Sequence, residues 1–385
     1  MSDAPFVYLD YAATTPVDPR VAQAIGACLA APAGNASSTH AAGRAARERV
    51  EAARAEVAAL IAAPPEAIVF TSGATEADNL AILGAARGNA ARGRHLVSLR
   101  TEHRAVLDPL ARLEREGFRV TLLSPGRDGL VDPAELGRAL GRETTLVSVM
   151  LVNNETGVVQ DIPAIAAECR RHGALLHVDA AQAAGRVPLE VGALDADLVS
   201  LAAHKVHGPV GVGALYVRRE PRPTLLPIAF GGGQEGGLRP GTLPVHQIVG
   251  MGTAYALARA ALAEEPARLA ALRERLWTAL RPLPGALLNG HPERRAPHIL
   301  NVSFEGVDGE ALLYALGSVA VSTGSACGAG HGEPSYVLRA LGRDDALAQA
   351  SLRFSFGRPT TAAEVDLVAA RVRAAVLRLR ALAPA

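Results

Sequence analysis

Lysine is almost missing from this chain. Of its 39 basic side chains one, Lys205, is a lysine, and the rest are arginine. Arginine stays protonated, whereas a lysine amine can lose its proton and bond to a carbonyl carbon. A chain that fills every other cationic position with arginine marks Lys205 as a candidate for carbonyl chemistry. Cysteine is scarce too: three in 385 residues, which excludes a disulfide framework and points to a reducing compartment. Charge imbalance is lacking, the net formal charge being +1, so neither nucleic acid nor a membrane surface is an expected partner. No apolar run approaches the ~18 residues of a membrane span. The start MSDAPFVYLDYAATT lacks the basic-then-apolar pattern of a secretory leader. The expected location is the cytoplasm.

What is present is ordinary globular composition, 49% hydrophobic and 20% charged, in a chain too long for one core, so two domains are expected. Short apolar runs read as strands: AIVF (67–70), HLVSL (95–99), RVTLL (119–123), TLVSVML (145–151), LLHVD (175–179), DLVSL (197–201) and GALYV (213–217). Between them lie amphipathic stretches such as 76–88 and 163–173. Such alternation predicts a mostly parallel, buried sheet with helices on both faces. GALYV follows DLVSL after only a turn-rich connector, which suits an antiparallel pair. The Gly/Pro-rich segment 220–247 reads as an ordered loop. Helical patterns follow at 248–263 and 265–281, and residues 282–385 mix strands (HILNVSF, SLRFSF) with helices as a smaller α+β unit.

Ligands of open α/β sheets bind beyond the carboxyl ends of the strands. After AIVF comes TSGATEADNL, where Ala74 and Thr75 open a helix whose free N–H groups suit a phosphate, or merely an N-cap. His103 follows HLVSL and suits ring stacking or proton transfer, or a structural hydrogen bond. Asn153 and Asn154 follow TLVSVML and suit ligand contacts or an Asx turn. Asp179 ends an apolar strand, where a carboxylate needs a cationic partner such as a protonated pyridine, and Gln182 lies three residues on. Lys205 follows DLVSL between His204 and His207. A phosphate cradle, an aspartate for a pyridinium, an amine for an aldehyde and a histidine for a ring are together what pyridoxal phosphate requires. One more residue stands out. Cys327 sits in VSTGSACGAGHGEPS (321–335), a glycine-rich stretch of the kind that forms surface loops, although cysteine is usually buried.

These residues lie in strings that resemble cysteine desulfurases of the IscS/NifS type, class V aminotransferase relatives with the type I pyridoxal phosphate fold. The strings run from YLDYAATTPVDPRV (8–21) through FTSGATEADNLAI (70–82), TEHRAVLD (101–108), VNNETGVVQDI (152–162), HVDAAQ (177–182), HKVHGPVGVGALYVRR (204–219) and GTLPVHQIVGMG (241–252). They end with HILNVSF (298–304), TGSAC (323–327), EPSYVLRALG (333–342) and LRFSFGR (352–358). The resemblance implies a large cofactor-binding domain with a mostly parallel seven-stranded sheet (16–262). It implies a smaller α+β domain from residues 1–15 and 263–385 that carries a mobile catalytic cysteine loop near 321–333.

By the same resemblance, Lys205 bonds to the cofactor aldehyde and later moves the substrate's α-proton. Asp179 holds the ring nitrogen, His103 stacks and exchanges protons, Gln182 and Asn154 fix the ring hydroxyl and nearby atoms, and Ala74, Thr75 and His204 hold the phosphate. Thr242 reaches the phosphate of a partner subunit in a homodimer, and Arg353 clamps the carboxylate of L-cysteine. Cys327 takes the sulfur as a persulfide, releases L-alanine, and passes the sulfur to an acceptor such as an iron–sulfur scaffold protein, with which it transiently shares a cluster as a metal ligand. Iron–sulfur assembly or thiolation of tRNA or cofactors is the implied destination; another class V enzyme, a selenocysteine lyase or transaminase, is the alternative. Ala202 stands where the family commonly has a phosphate-binding serine, and Pro240 where a small polar residue is usual. The chain stops at RLRALAPA, short of the tail that helps such enzymes dock their scaffold, so docking is expected to differ. Cys28 and Cys169 read as packed small hydrophobes.

Overall fold

A computed structural model describes residues 5–323 and 333–382; Cys327 lies outside the described residues. Twelve strands are found: β1 (Val7–Tyr8), β2 (Ile68–Thr71), β3 (His95–Leu99), β4 (Arg119–Leu123), β5 (Thr144–Met150), β6 (Leu175–Asp179), β7 (Leu198–Ala202), β8 (Gly213–Val217), β9 (Ala286–Leu288), β10 (Ile299–Phe304), β11 (Val319–Ala320) and β12 (Ser351–Ser355). Seven form one sheet in the order β2-β8-β7-β6-β5-β3-β4. β8 runs antiparallel to both its neighbours and the other pairings are parallel. The carboxyl ends of six strands therefore meet on one edge, where β8 begins. A side chain at Gly213 would strike the Leu201 carbonyl oxygen at 2.5 Å and the Gly73 carbon at 2.6 Å, so glycine is what lets β8 enter between its neighbours.

Strand alternation sends side chains to two apolar layers. Phe70, Val147, Val178, Val199 and Leu201 pack on one face against the helices Ala41–Leu60 and Val245–Ala261. Val69, Leu96, Leu146 and Leu198 pack on the other against Ala74–Gly88 and Arg104–Arg115. Cys169 is fully buried in the first layer, as expected. Cys28 is only half-buried, because its helix, Pro19–Ala30, buries Val21 alone.

A third apolar cluster joins Val7 and Leu9 to Leu269–Leu280, β10, β12 and the closing helix. That helix, Ala362–Leu382, buries Val365, Val368, Ala369, Val372 and Val376, the three-and-four spacing of one helical stripe. Its sheet has the order β12-β10-β9, all antiparallel, and β1 pairs in parallel with β11. Between the clusters runs a strap, residues 10–18. Ala12 N–H donates to Ser355 Oγ (2.8 Å), Thr15 Oγ1 to the His204 carbonyl (2.8 Å), and Arg358 reaches Asp18 (2.8 Å). No described helix is long and apolar enough to cross a membrane.

The segment 220–247 is ordered, as expected, and held by buried charge. The Glu235 carboxylate accepts from both terminal nitrogens of Arg54 (2.8 Å each) and from Phe70 N–H (2.7 Å), and Arg239 reaches Glu76 (2.9 Å).

Candidate active site

The converging strand ends enclose a cavity of about 850 Å³. Ala74, Thr75, His103, Asn154, Asp179, Gln182, His204, Lys205 and Arg353 all line it. Ala202 does not: it is fully buried and its carbonyl accepts from Tyr255 (3.1 Å). Thr242 is exposed and away from the cavity wall.

Helix Ala74–Gly88 has no side-chain cap at its start. The backbone N–H groups of Ala74, Thr75 and Glu76 find no acceptor among the described residues. A helix N-terminus in that state attracts an anion. His204 stands on the same wall with Nδ1 3.1 Å from Thr14 Oγ1. Burial, then the Lys205 charge, lowers it to about 4, so it is a neutral donor or acceptor at neutral pH.

Lys205 donates from Nζ to the carbonyls of Ala12 and Ala13, and Gln182 Nε2 also donates to Ala12 O (2.8 Å). These strap carbonyls carried no sequence signal, because a backbone oxygen has no residue type. Asp179 accepts from Ala181 N–H (2.9 Å). Burial, then the charge of Asp78, holds it above the ordinary carboxylate range, which is the state of an acid wanting a cation. His103 caps helix Arg104–Arg115, its Nδ1 accepting from Ala105 N–H (3.1 Å). The neutral ring therefore carries its proton on Nε2.

The two amides divide the work left open by the sequence. Asn153 makes the turn, its Oδ1 accepting from Glu155 N–H (3.0 Å) and Thr156 N–H (2.9 Å). Asn154 faces the cavity, and its Oδ1 is buried with no hydrogen-bond partner among the described residues. Arg353, 2% exposed, donates from Nη1 to Asn154 O (2.8 Å) and from Nη2 to Asp10 Oδ1 (2.8 Å), leaving its buried Nε without a partner among the described residues.

A buried acid, Glu155, was passed over in the sequence. It accepts from Ser335 Oγ, and Ser335 in turn caps the helix Tyr336–Ala340. Burial pushes Glu155 from 4.5 to about 7, against the Ser335 hydroxyl and the charges of Arg353 and His103. Its folded value is above its unfolded one, so the folded state holds the extra proton between those values, and stability falls as pH rises from 4.5 to about 7. Glu155→Gln is expected to flatten that fall and to gain stability above pH 7, by roughly 3 kcal/mol at most. Urea midpoints between pH 4 and 8 read it; parallel profiles for both proteins would refute it.

The cavity fits the expected cofactor on its own atoms: free N–H groups for a phosphate, a raised buried acid for a ring cation, one lysine, and unpaired donors and acceptors at Arg353 and Asn154. Among the described residues no group of three or more His, Cys, Asp or Glu side chains is placed to hold a metal.

Comparison with known proteins agrees. The profile of the class-V aminotransferase family matches residues 7–368. The chain is 53% identical over 381 residues to a cysteine desulfurase IscS of Pectobacterium atrosepticum, spanning 98% of this chain and 94% of that one. It is 54% identical over the same spans to a cysteine desulfurase IscS of Ectopseudomonas mendocina. A solved structure described as a NifS-like protein superposes with a TM-score of 0.91 at 34% identity, covering 97% of this chain and all of that one.

Proposed function

The chain belongs to the class-V aminotransferase family and is a pyridoxal-phosphate-dependent cysteine desulfurase, and from that premise we propose how its own residues divide the work. The observation that carries the assignment is the convergence of Lys205, Asp179, the uncapped helix start and Arg353 in one cavity. Bound pyridoxal phosphate supplies an aldehyde for the substrate amine and a protonated ring that withdraws electrons from the substrate's α-carbon. Ala74, Thr75 and His204 hold its phosphate, Asp179 its ring nitrogen, and Gln182 and Asn154 its hydroxyl side; Ala202, buried off the cavity wall, takes no part. Lys205 would hold the aldehyde carbon and its free amine would carry the α-proton; the Ala12 and Ala13 carbonyls accept from that amine. The unpaired Nε–H of Arg353 takes the carboxylate of L-cysteine, and His103 exchanges a proton through Nε2.

Cys327 is the sulfur acceptor in this reading. The chain on either side of 324–332 is tied to the cavity, since Ser322 and Arg353 exchange backbone hydrogen bonds and Ser335 bonds Glu155. Cys327 stands four residues after Thr323 in the sequence. Its thiolate bonds to the substrate sulfur as the carbon–sulfur bond breaks. The carbon keeps the electron pair of the broken bond and takes a proton to become the methyl group of alanine, so it is reduced as the sulfur is oxidised to the persulfide level, and no outside oxidant is needed. The acceptor is a protein such as an iron–sulfur scaffold, sharing a cluster with Cys327 transiently, in the cytoplasm. Protein incubated with L-cysteine should yield alanine and protein-bound sulfane sulfur one for one in a first turnover. Keto acid in place of alanine would favour a transaminase; alanine without bound sulfur would remove Cys327 from its role.

The same reading divides the chain into a unit of residues 16–262 around the two faces of the large sheet and a unit of 1–15 and 263–385 around the third apolar cluster. It makes the protein a homodimer in which exposed Thr242 reaches the partner's phosphate; the exposure of the large apolar side chains Phe230 and Val210 supports an interface. Glu235→Ala tests the support of that loop. It leaves buried Arg54 with Glu51 as its carboxylate partner and the Ile68 carbonyl as a neutral acceptor, a loss expected to cost about 3 kcal/mol and to weaken cofactor retention as well. A lower melting temperature with unchanged retention would separate the loop from the phosphate.

A further inference from the structure

One row of the large sheet is polar where its neighbours are apolar. Ser98, Ser148, His177 and Ser200, on four adjacent strands, are fully buried. His177 bridges the row, with Nδ1 2.8 Å from Ser148 Oγ and Nε2 2.9 Å from Ser200 Oγ. The same Nε2 lies 3.5 Å from Oδ1 of Asp78, on the helix above. Asp78 is 1% exposed, lines the same cavity as Asp179, and neither of its carboxylate oxygens has a hydrogen-bond partner among the described residues. Glu102, beyond β3, is wholly buried; the Met150 backbone lies near enough to favour its charged form, but neither carboxylate oxygen has a well-formed hydrogen bond among the described residues.

Three buried acids thus lie near one another, and they cannot all be charged. Burial, then the charges of Asp179 and Asp78, holds Glu102 well above the ordinary range, so it is a neutral acid. Asp179 faces Asp78 on the helix above, Glu102, and the cations His103 and His177 when these are protonated. A buried carboxylate left without donors is costly to the fold. The group that gains is a cation beside Asp179.

We propose that Asp78 is a positioning residue for the cofactor: its carboxylate, seated against His177, puts a second negative charge behind Asp179 and keeps the pyridine nitrogen protonated. Glu102 carries a proton and adds no charge. The proposal rests on the assignment of Asp179 to the ring nitrogen.

The test uses holoenzyme carrying pyridoxal phosphate labelled with nitrogen-15 in the ring. Asp78→Asn is expected to move the ring-nitrogen resonance toward the unprotonated position and to weaken cofactor binding roughly tenfold, as removal of one nearby charge should. The same substitution should raise the melting temperature of the cofactor-free chain, because it relieves an unpaired buried charge; a merely structural residue would lower it. Asp78→Ser, shorter and also neutral, should shift the resonance in the same direction if Asp78→Asn does not fold. Glu102→Gln should leave the resonance in place. An unmoved resonance and unchanged affinity in the Asp78 variants overturn the proposal, as does a Glu102→Gln shift equal to that of Asp78→Asn. Asp179→Asn separates the two readings: if its resonance stays at the wild-type position, the Asp179 assignment itself is wrong.

Discussion

Lys205→Arg is expected to leave a folded protein with no desulfurase activity above about one-thousandth of the wild type. Arginine keeps the positive charge and has donors for the Ala12 and Ala13 carbonyls that Lys205 uses, so the strap stays seated. It cannot release its proton, and so can neither bond to the aldehyde nor carry the α-proton. Lys205→Ala should be equally inactive while losing about 2–3 kcal/mol for the two hydrogen bonds; Gln182 still donates to Ala12 O. Cofactor should bind both variants weakly, through the helix start and Asp179, and should wash out on gel filtration, with loss of the absorbance of covalently held cofactor. Small amines added to Lys205→Ala should restore part of the activity, and should do nothing for Lys205→Arg, whose side chain fills the place. Because no other lysine exists in the chain, survival of the covalent cofactor signal in Lys205→Ala would move the chemistry to the N-terminal amine and refute the assignment.

Cys327→Ala should have an effect as large with the opposite spectroscopic signature. The cofactor signal and binding of L-cysteine should persist, since every group proposed to hold them lies elsewhere, while alanine formation and sulfur delivery should fall by at least about 1000-fold. Cys28→Ala should change neither. Cys169 is fully buried, and burial pushes its thiol up to about 12, which excludes it as a substitute nucleophile at neutral pH. Sulfur bound at an undiminished level in Cys327→Ala would refute the role.

The large sheet was legible because its strands are apolar runs between turns. Four of the seven expected strands coincide with the observed ones, and the other three, read as AIVF, TLVSVML and DLVSL, are each shifted by one residue. β1, β9 and β11 were not, since two or three residues carry no period. The rule that sites follow parallel strands led to His103, Asp179 and Lys205, which all line the cavity. It could not choose between Asn153 and Asn154, which differ only in which way a turn faces. Glu155 was hidden because its burial depends on Ser335, 180 residues away. The polar row was written in the strands themselves, as the serine of HLVSL, TLVSVML and DLVSL and the histidine of LLHVD, but reading each run as uniformly apolar passed over it.

The strap has a further consequence for the order in which the molecule is made. Asp10 meets Arg353, and Ala12 meets Ser355, each across 343 positions. At about 5–20 residues per second, a ribosome needs on the order of tens of seconds between the two. All the residues proposed to hold the cofactor's ring, and those for its phosphate within one subunit, are in place by Lys205, yet the substrate end of the cavity closes only when β12 emerges. A nascent chain can therefore hold a cofactor pocket before it can recognise a substrate, and the reactive site is completed last.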